Sequence, residues 1–320
     1  MKAIYGNNGS PPLNGGSLFV RRFKRDWRLH LFMLLPLLYL LIFAYYPMFG
    51  VQIAFKNFSP ARGIWGSPWV GLRHFKTFFS SYQFPRVMKN TIILSLYLIL
   101  AGFPLPIFFA LILNTMRNLA FKKIVQTLTY IPHFISTVVL VGMMITFFSP
   151  VAGAYGYFFK IFNAGYPDIL MGIAGTFRHF YVWSDVWQNL GWGTIIYIAA
   201  LSSVSPELYE AAEIDGASRW QRLIHIDFPA ILPTAAIMLI LRFGSIMTIG
   251  FEKVLLMQTN LNLGTSEIIS TYVYKVGLQA GGNFSYATAI GLFNSAINCT
   301  VLLVVNRTAR KLSDNEIGLL

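Results

Sequence analysis

"SPELYEAAEIDGASRWQRLIHIDFPAILP", Ser205 to Pro233, gathers Glu207, Glu210, Glu213 and Asp215, then Arg219 and Arg222, around a single Gly216 in a chain that is otherwise mostly apolar. Ser205, Pro206 and Glu207 form a helix start: a side-chain oxygen for the free N–H groups, a ring that needs no donor, and an acid near the positive end. The spacing predicts a short helix to Asp215, closed by Gly216 in the left-handed conformation. Ser218 with Gln221 makes a capping box for a second helix, expected to end before Pro229. Connections between adjacent helices usually need about two to eight residues, so a two-helix elbow of about 25 is far more structure than a link requires. Leu208, Ala211, Ala212 and Asp215 fall on one side of the first helix and Glu207, Glu210 and Glu213 on another. On the second, Trp220, Leu223 and Ile224 make an apolar stripe. A docking surface for a partner and a solvated hairpin both satisfy this pattern.

Outward from the elbow the chain is lipid-like. Of 320 residues, 55% are hydrophobic and 12% charged, which excludes an ordinary soluble globule. Crossing a hydrocarbon core of ~30 Å takes about 20 helical residues. Six apolar runs approach that length, uncharged except for Arg242 in the fifth: Leu31–Pro47, Thr91–Asn114, Ile131–Phe148, Val186–Val204, Ile231–Phe251 and Ile290–Asn306. The first has no small-residue cleavage site after it and reads as a retained span. Arg21, Arg22, Lys24, Arg25 and Arg28 before it put the N-terminus in the cytoplasm. Six spans return the C-terminus, with Arg307, Arg310 and Lys311, to the same side, and place the elbow there too.

The outer loop after span one disagrees, since Lys56, Arg62, Arg73, Lys76, Arg86 and Lys89 have no acid among them. "WVGLRHFKTFF" there reads as an interfacial amphipathic helix, and attraction of an anionic substrate is the alternative. The expected organisation is an all-α membrane protein. Residues 1–28 form a flexible basic leader, 29–308 one six-helix domain with 205–229 as the cytoplasmic elbow, and 309–320 a tail.

The net charge of +13 is scattered along the span flanks and builds no patch for nucleic acid. Cys299 is the only cysteine, so no internal disulfide can form. The five histidines are dispersed and no H-E-x-x-H occurs, so neither metal hydrolysis nor any other catalysis is expected. No G-x-x-x-x-G-K-[ST] loop is present, so the chain is no ATPase.

Arg242 stands nine residues after Pro233 and nine before Phe251, roughly 13 Å from either end of its expected span at ~1.5 Å per residue. A charge there costs at least ~2.5–3.5 kcal/mol on insertion scales. Either it lines a wet path and meets sugar hydroxyls or a uronate carboxylate, or it is a structural arginine bonded to broken-helix carbonyls or a second subunit. Trp187, Gln188, Asn189 and Trp192 in span four, with Asn294 and Asn298 on one face of span six, offer aromatic and amide groups suited to sugars.

The elbow also resembles the EAA loop shared by membrane subunits of type I ABC importers, matching at Glu210, Ala211, Ala212, Asp215, Gly216, Ala217, Ile226, Pro229 and Pro233, with Leu223 and Phe228 replacing other apolar residues. "YYPMFGVQIAFKNF", "WQNLGWGTIIYIAAL", "ISTYVYKVGL" and "FSYATAIGLFNS" resemble the oligosaccharide branch, so the likeness runs from about Leu31 onward. The resemblance implies a permease subunit in the bacterial inner membrane. It would work with a second, homologous permease, two ATPase subunits that hold ATP and Mg, and an extracytoplasmic solute-binding protein. This chain itself would hold no cofactor. The first elbow helix would seat in the ATPase, with Glu210 pairing a basic residue there. An importer of another solute, such as glycerol phosphate, and an ion-coupled secondary transporter are the alternatives.

Overall fold

The computed structural model describes residues 25–162, 168–279 and 281–312; most of the expected leader and tail lie outside the described residues. Among these the chain is helical almost throughout, with no strand and one isolated bridge, Lys56 to Trp69. It divides into two compact units, Met1–Gln52 and Ile53–Leu320.

In the first unit α1, Trp27–Leu40, runs through Pro36 into a π turn, Leu41–Tyr45, and then Tyr46–Met48. Tyr46 N–H donates five residues back, to the Leu41 carbonyl, directly before Pro47. A proline ring collides with the carbonyl four residues behind it, and a widened turn moves that carbonyl aside.

The second unit opens with a small cap. Lys56 is buried, donates to the Ile64 carbonyl at 2.7 Å and lies over the rings of Trp65 and Trp69. The expected amphipathic helix is present as Arg73–Phe79, with Phe78 buried. Arg86 pairs with Glu267, which also pairs with Lys275 at 3.1 Å. The one-sided charge of this region is therefore partly balanced from far along the chain.

The long elements follow: α2, Gln83–Gly102; α3, Pro104–Thr115; α4, Leu119–Tyr130; α5, Thr137–Phe147; and α6, Ala174–Leu201. After them come α7, Pro206–Ile214; α8, Phe228–Gly244; α9, Phe251–Met257; and α10, Phe284–Leu312. Helix α6 is the hub, packing against α2, α3, α4, α8 and α9. Buried clusters lie beside it: Leu94, Phe177, Tyr181 and Ile268 in one, Ile107, Tyr197, Leu201 and Ile231 in another. Without an aqueous driving force between helices in lipid, close packing of small residues decides such contacts. Gly191 of α6 lies on the backbone of Thr129 in α4, so that a Cβ would strike the Thr129 carbonyl.

Among the described residues four stretches are long and apolar enough to cross a bilayer: Trp27–Phe55, Gln83–Thr115, Arg219–Gly244 and Phe284–Lys311. Two expectations need correction here. The run Ile131–Phe148 is not straight. Leu119–Phe134 and Thr137–Phe147 meet at 96°, because Pro132 starts a 3-10 turn and Ser136 caps α5. The fifth span is not Ile231–Phe251 either. The elbow's second helix does not stop before Pro229 but passes through a π turn, Leu223–Asp227, into α8 as one helix, Arg219–Gly244. Phe228 N–H donates to the Leu223 carbonyl, again five residues back and directly before a proline. Helix α8 then ends at Gly244, where a Cβ would fall 2.6 Å from Leu302 Cδ1.

Gly191→Ala is expected to destabilise the detergent-solubilised chain by about 1–3 kcal/mol, the usual cost of overpacking. Gly142→Ala, where a Cβ meets nothing within 4 Å, should leave the thermal midpoint unchanged or raised.

A coupling elbow and a polar cavity as the candidate functional site

The elbow forms as its residues dictate. Ser205 Oγ accepts from Glu207 N–H at 3.3 Å, and Pro206 occupies the first turn. At the other end Ala217 N–H reaches the Ala212 carbonyl at 2.8 Å across Gly216, whose φ is +73°. The Ser218–Gln221 capping box is complete. Glu207, Leu208, Glu210, Ala211, Asp215 and Gly216 are exposed, and the Glu210 side chain has no ion pair or hydrogen bond among the described residues. Glu213 faces Arg222 at 3.8 Å.

Tyr209, which the sequence reading passed over, turns inward. Its hydroxyl donates to the buried Asp227 carboxylate at 2.5 Å. Burial, then the hydrogen bond to Asp227 and the carboxylate's charge, pushes the Tyr209 hydroxyl up to about 12. It therefore stays a proton donor at any physiological pH. Ile226 is half-buried, while Pro229 and Pro233 are exposed along Arg219–Gly244.

The second feature is a cavity of about 430 Å³ between α6, the α4–α5 break and the start of α9, lined by His133, Asp185, Gln188, Asn189, Glu252 and Lys253 among others. The break supplies free carbonyls, and Gln188 Nε2 donates to that of Ile135 at 2.7 Å. Asn189 pairs with His133 at 2.9 Å. Trp192 stacks on the His133 ring at 4.4 Å and 6°. Lys253 is 5% exposed and stands 3.6 Å from Asp185 and 4.9 Å from the Tyr181 ring, and its Nζ has no hydrogen-bond partner among the described residues. Asp185 stands just before the expected span, Val186–Val204, yet lies well inside the 28-residue α6.

Arg242 is half-buried in the last turn of α8, where its charge suits the helix's negative end. Its guanidinium lies beside Gly102 and finds no hydrogen-bond partner among the described residues. Trp187 is separated from its neighbours in sequence. It lines an apolar groove of about 1170 Å³ with Phe147, Phe180 and Trp183. Asn294 and Asn298 serve the unwound backbone after α8. Asn294 Nδ2 donates to the Met247 carbonyl at 3.2 Å, while Asn298 accepts from Met247 N–H at 2.9 Å and donates to Thr248 Oγ1 at 2.7 Å.

Residues 102–314 match the family described as binding-protein-dependent transport system inner membrane component. The chain belongs to that family. It is thus a multi-pass component of an inner-membrane transport system, and the family is one of transport subunits rather than enzymes. Among its relatives, protein LplB of Bacillus subtilis is 40% identical over 97% of this chain and 98% of its own length. The polygalacturonan/rhamnogalacturonan transport system permease protein YteP, from the same species, is 40% identical over 90% of this chain and 89% of its own. A chain of a bacterial alginate ABC transporter, solved in complex with alginate pentasaccharide-bound periplasmic protein, superposes with a TM-score of 0.83. It is 38% identical and covers 93% of this chain and 99% of that one.

In this family member, Asn298→Ala would leave Met247 N–H without its acceptor, costing about 1–3 kcal/mol as a buried unsatisfied donor. Asn298→Asp keeps the acceptor and should lie between Ala and wild type in thermal unfolding.

Proposed function

We propose that this chain is the membrane-spanning permease subunit of a bacterial ABC importer for oligosaccharides, including fragments of acidic polysaccharides. The observation that carries the reading is the elbow. Its own caps hold its shape, and it presents exposed Glu210 and Ala211 with no side-chain counterpart among the described residues. The relatives named for polygalacturonan and alginate support an acidic substrate.

The four long apolar helices, the bent pair α4–α5 and α6 together supply six crossings, with both termini and the elbow on the cytoplasmic side. Helix α7 seats in a separate ATPase subunit, where Glu210 pairs a basic side chain and the small Ala211 and Ala212 permit close approach. Asp215, Gly216 and Ala217 set the angle of the elbow, and Ile226, Pro229 and Pro233 set the entry into α8. A second permease, two ATPase subunits binding ATP and Mg, and a solute-binding protein complete the assembly. ATP on one side and substrate on the other then bias two global states of the spans.

Sugar hydroxyls are met by Asp185, Gln188, Asn189 and Lys253, with Trp192 as an aromatic face, and Arg242 supplies positive charge for a uronate. Asn294 and Asn298 act through the backbone they hold, and Trp187 faces a separate groove.

Uptake of oligogalacturonate by right-side-out vesicles should require ATP on the cytoplasmic side and survive collapse of the ion gradients. Glu210→Ala, and Gly216→Val at a positive φ that only glycine adopts freely, should each lower uptake by about tenfold or more in a chain that still folds. Uptake driven by a proton or sodium gradient without ATP would instead identify a secondary transporter.

A further inference from the structure

Asp227 is 3% exposed at the end of the π turn Leu223–Asp227. Burying a carboxylate at the foot of an apolar helix is costly unless its charge is hydrogen-bonded. Here Oδ1 accepts from the Tyr209 hydroxyl at 2.5 Å and from Asn114 Nδ2 at 3.2 Å, and Asn114 also donates to the tyrosine oxygen at 3.4 Å. The three side chains come from three elements: Tyr209 from α7, Asn114 from the end of α3, and Asp227 from the foot of α8.

The shape of α7 does not need this contact. Ser205 caps one end, and the bond across Gly216 closes the other. What the contact fixes is the position of α7 against two long helices. The other polar tie, Glu213 to Arg222, is 3.8 Å long with the glutamate side chain 72% exposed, a geometry that contributes little. A hydrogen bond to a buried charge is roughly twice as strong as a neutral one, and directional. Displacement of α7 therefore reaches α8 through Tyr209 and Asp227, and α3 through Asn114. The far end of α8 carries Arg242, whose guanidinium lies beside Gly102 of α2.

We infer that Tyr209, Asp227 and Asn114 form a transmission clamp, three positioning residues that carry movement of the elbow helix into α3 and α8. The inference rests on the reading of α7 as the helix that seats in the ATPase. The clamp touches neither sugar nor nucleotide. Its loss should lower the sugar moved per ATP hydrolysed and leave subunit assembly intact.

The test uses the assembled importer with its binding protein, comparing Tyr209→Phe, Asp227→Asn, the double variant and Glu210→Ala. Measured are co-purification of the ATPase subunits, and oligogalacturonate imported per ATP as a function of loaded binding protein. Tyr209→Phe is expected to co-purify like wild type, with the ratio down by about tenfold and the half-saturating concentration within about twofold. Asp227→Asn keeps an acceptor for the hydroxyl and should retain more of the ratio than Tyr209→Phe. The double variant should be no worse than Tyr209→Phe alone, as expected of one shared interaction. A wild-type ratio in Tyr209→Phe, or additive losses in the double variant, would overturn the clamp. Should Tyr209→Phe fail to assemble, the ratio in Asp227→Asn decides: a lowered value with intact assembly supports the clamp, and a wild-type value, or loss of assembly there too, overturns it. If Glu210→Ala loses coupling and Tyr209→Phe does not, only the clamp falls. If Glu210→Ala keeps coupling, the reading of α7 itself falls.

Discussion

An unwound backbone inside an apolar bundle must find hydrogen-bond partners within the protein, because lipid offers none. Much of this structure follows from that constraint. The chain breaks its helices at Ile131–Ser136, after Gly244 and around Gly264–Ile268, and side-chain amides serve the breaks. Gln188 takes the Ile135 carbonyl, Asn298 and Asn294 hold Met247, and Asn90 donates to the Gly264 and Glu267 carbonyls at 3.0 Å. Asn262 does the same for Met171 and Met257. Polar side chains in the bundle are thus mostly committed to backbone. Asp185, Lys253 and Arg242 are among those that are not, and the proposed substrate path is drawn along them.

The same economy explains the prolines. Pro47 and Pro229 each follow a π turn whose last bond runs five residues back. A helix can then continue past a ring that would otherwise end it, which lets the elbow's second helix and α8 act as one rod. A helix from Arg219 to Gly244, pinned near one end by Asp227 and bearing Arg242 near the other, joins the proposed ATPase face to the proposed path in a single continuous element.

Much of this was legible in the residues. Ser205, Gly216 and the Ser218–Gln221 pair specify their turns by local chemistry, which is why the elbow's first helix and capping box match expectation atom by atom. Hydropathy points to the four long apolar helices and the bent pair but not to their ends, and the expected fourth span, Val186–Val204, falls mostly in α6, which is not among them. Excluding charged residues from spans pushed Asp185 out of α6, although its partner Lys253 comes from 68 positions along the chain. A rule that prolines stop helices missed the π turn. The inward face of Tyr209 and the separation of Trp187 from Gln188 depend on packing between distant elements, which local spacing does not encode. Asn294 and Asn298 lie on one face as spacing predicts, yet the backbone they serve belongs to a break that no motif announces.

The central claim is that the Asn189 side of α6 borders the aqueous path and the Trp187 side does not. With native Cys299 replaced by serine, single cysteines at 189 and 187 can be exposed to a charged, membrane-impermeant thiol reagent in the assembled importer. The cysteine at 189 should react, and oligogalacturonate should slow it, while the cysteine at 187 stays unmodified. Rapid labelling at 187 with none at 189 would contradict the account.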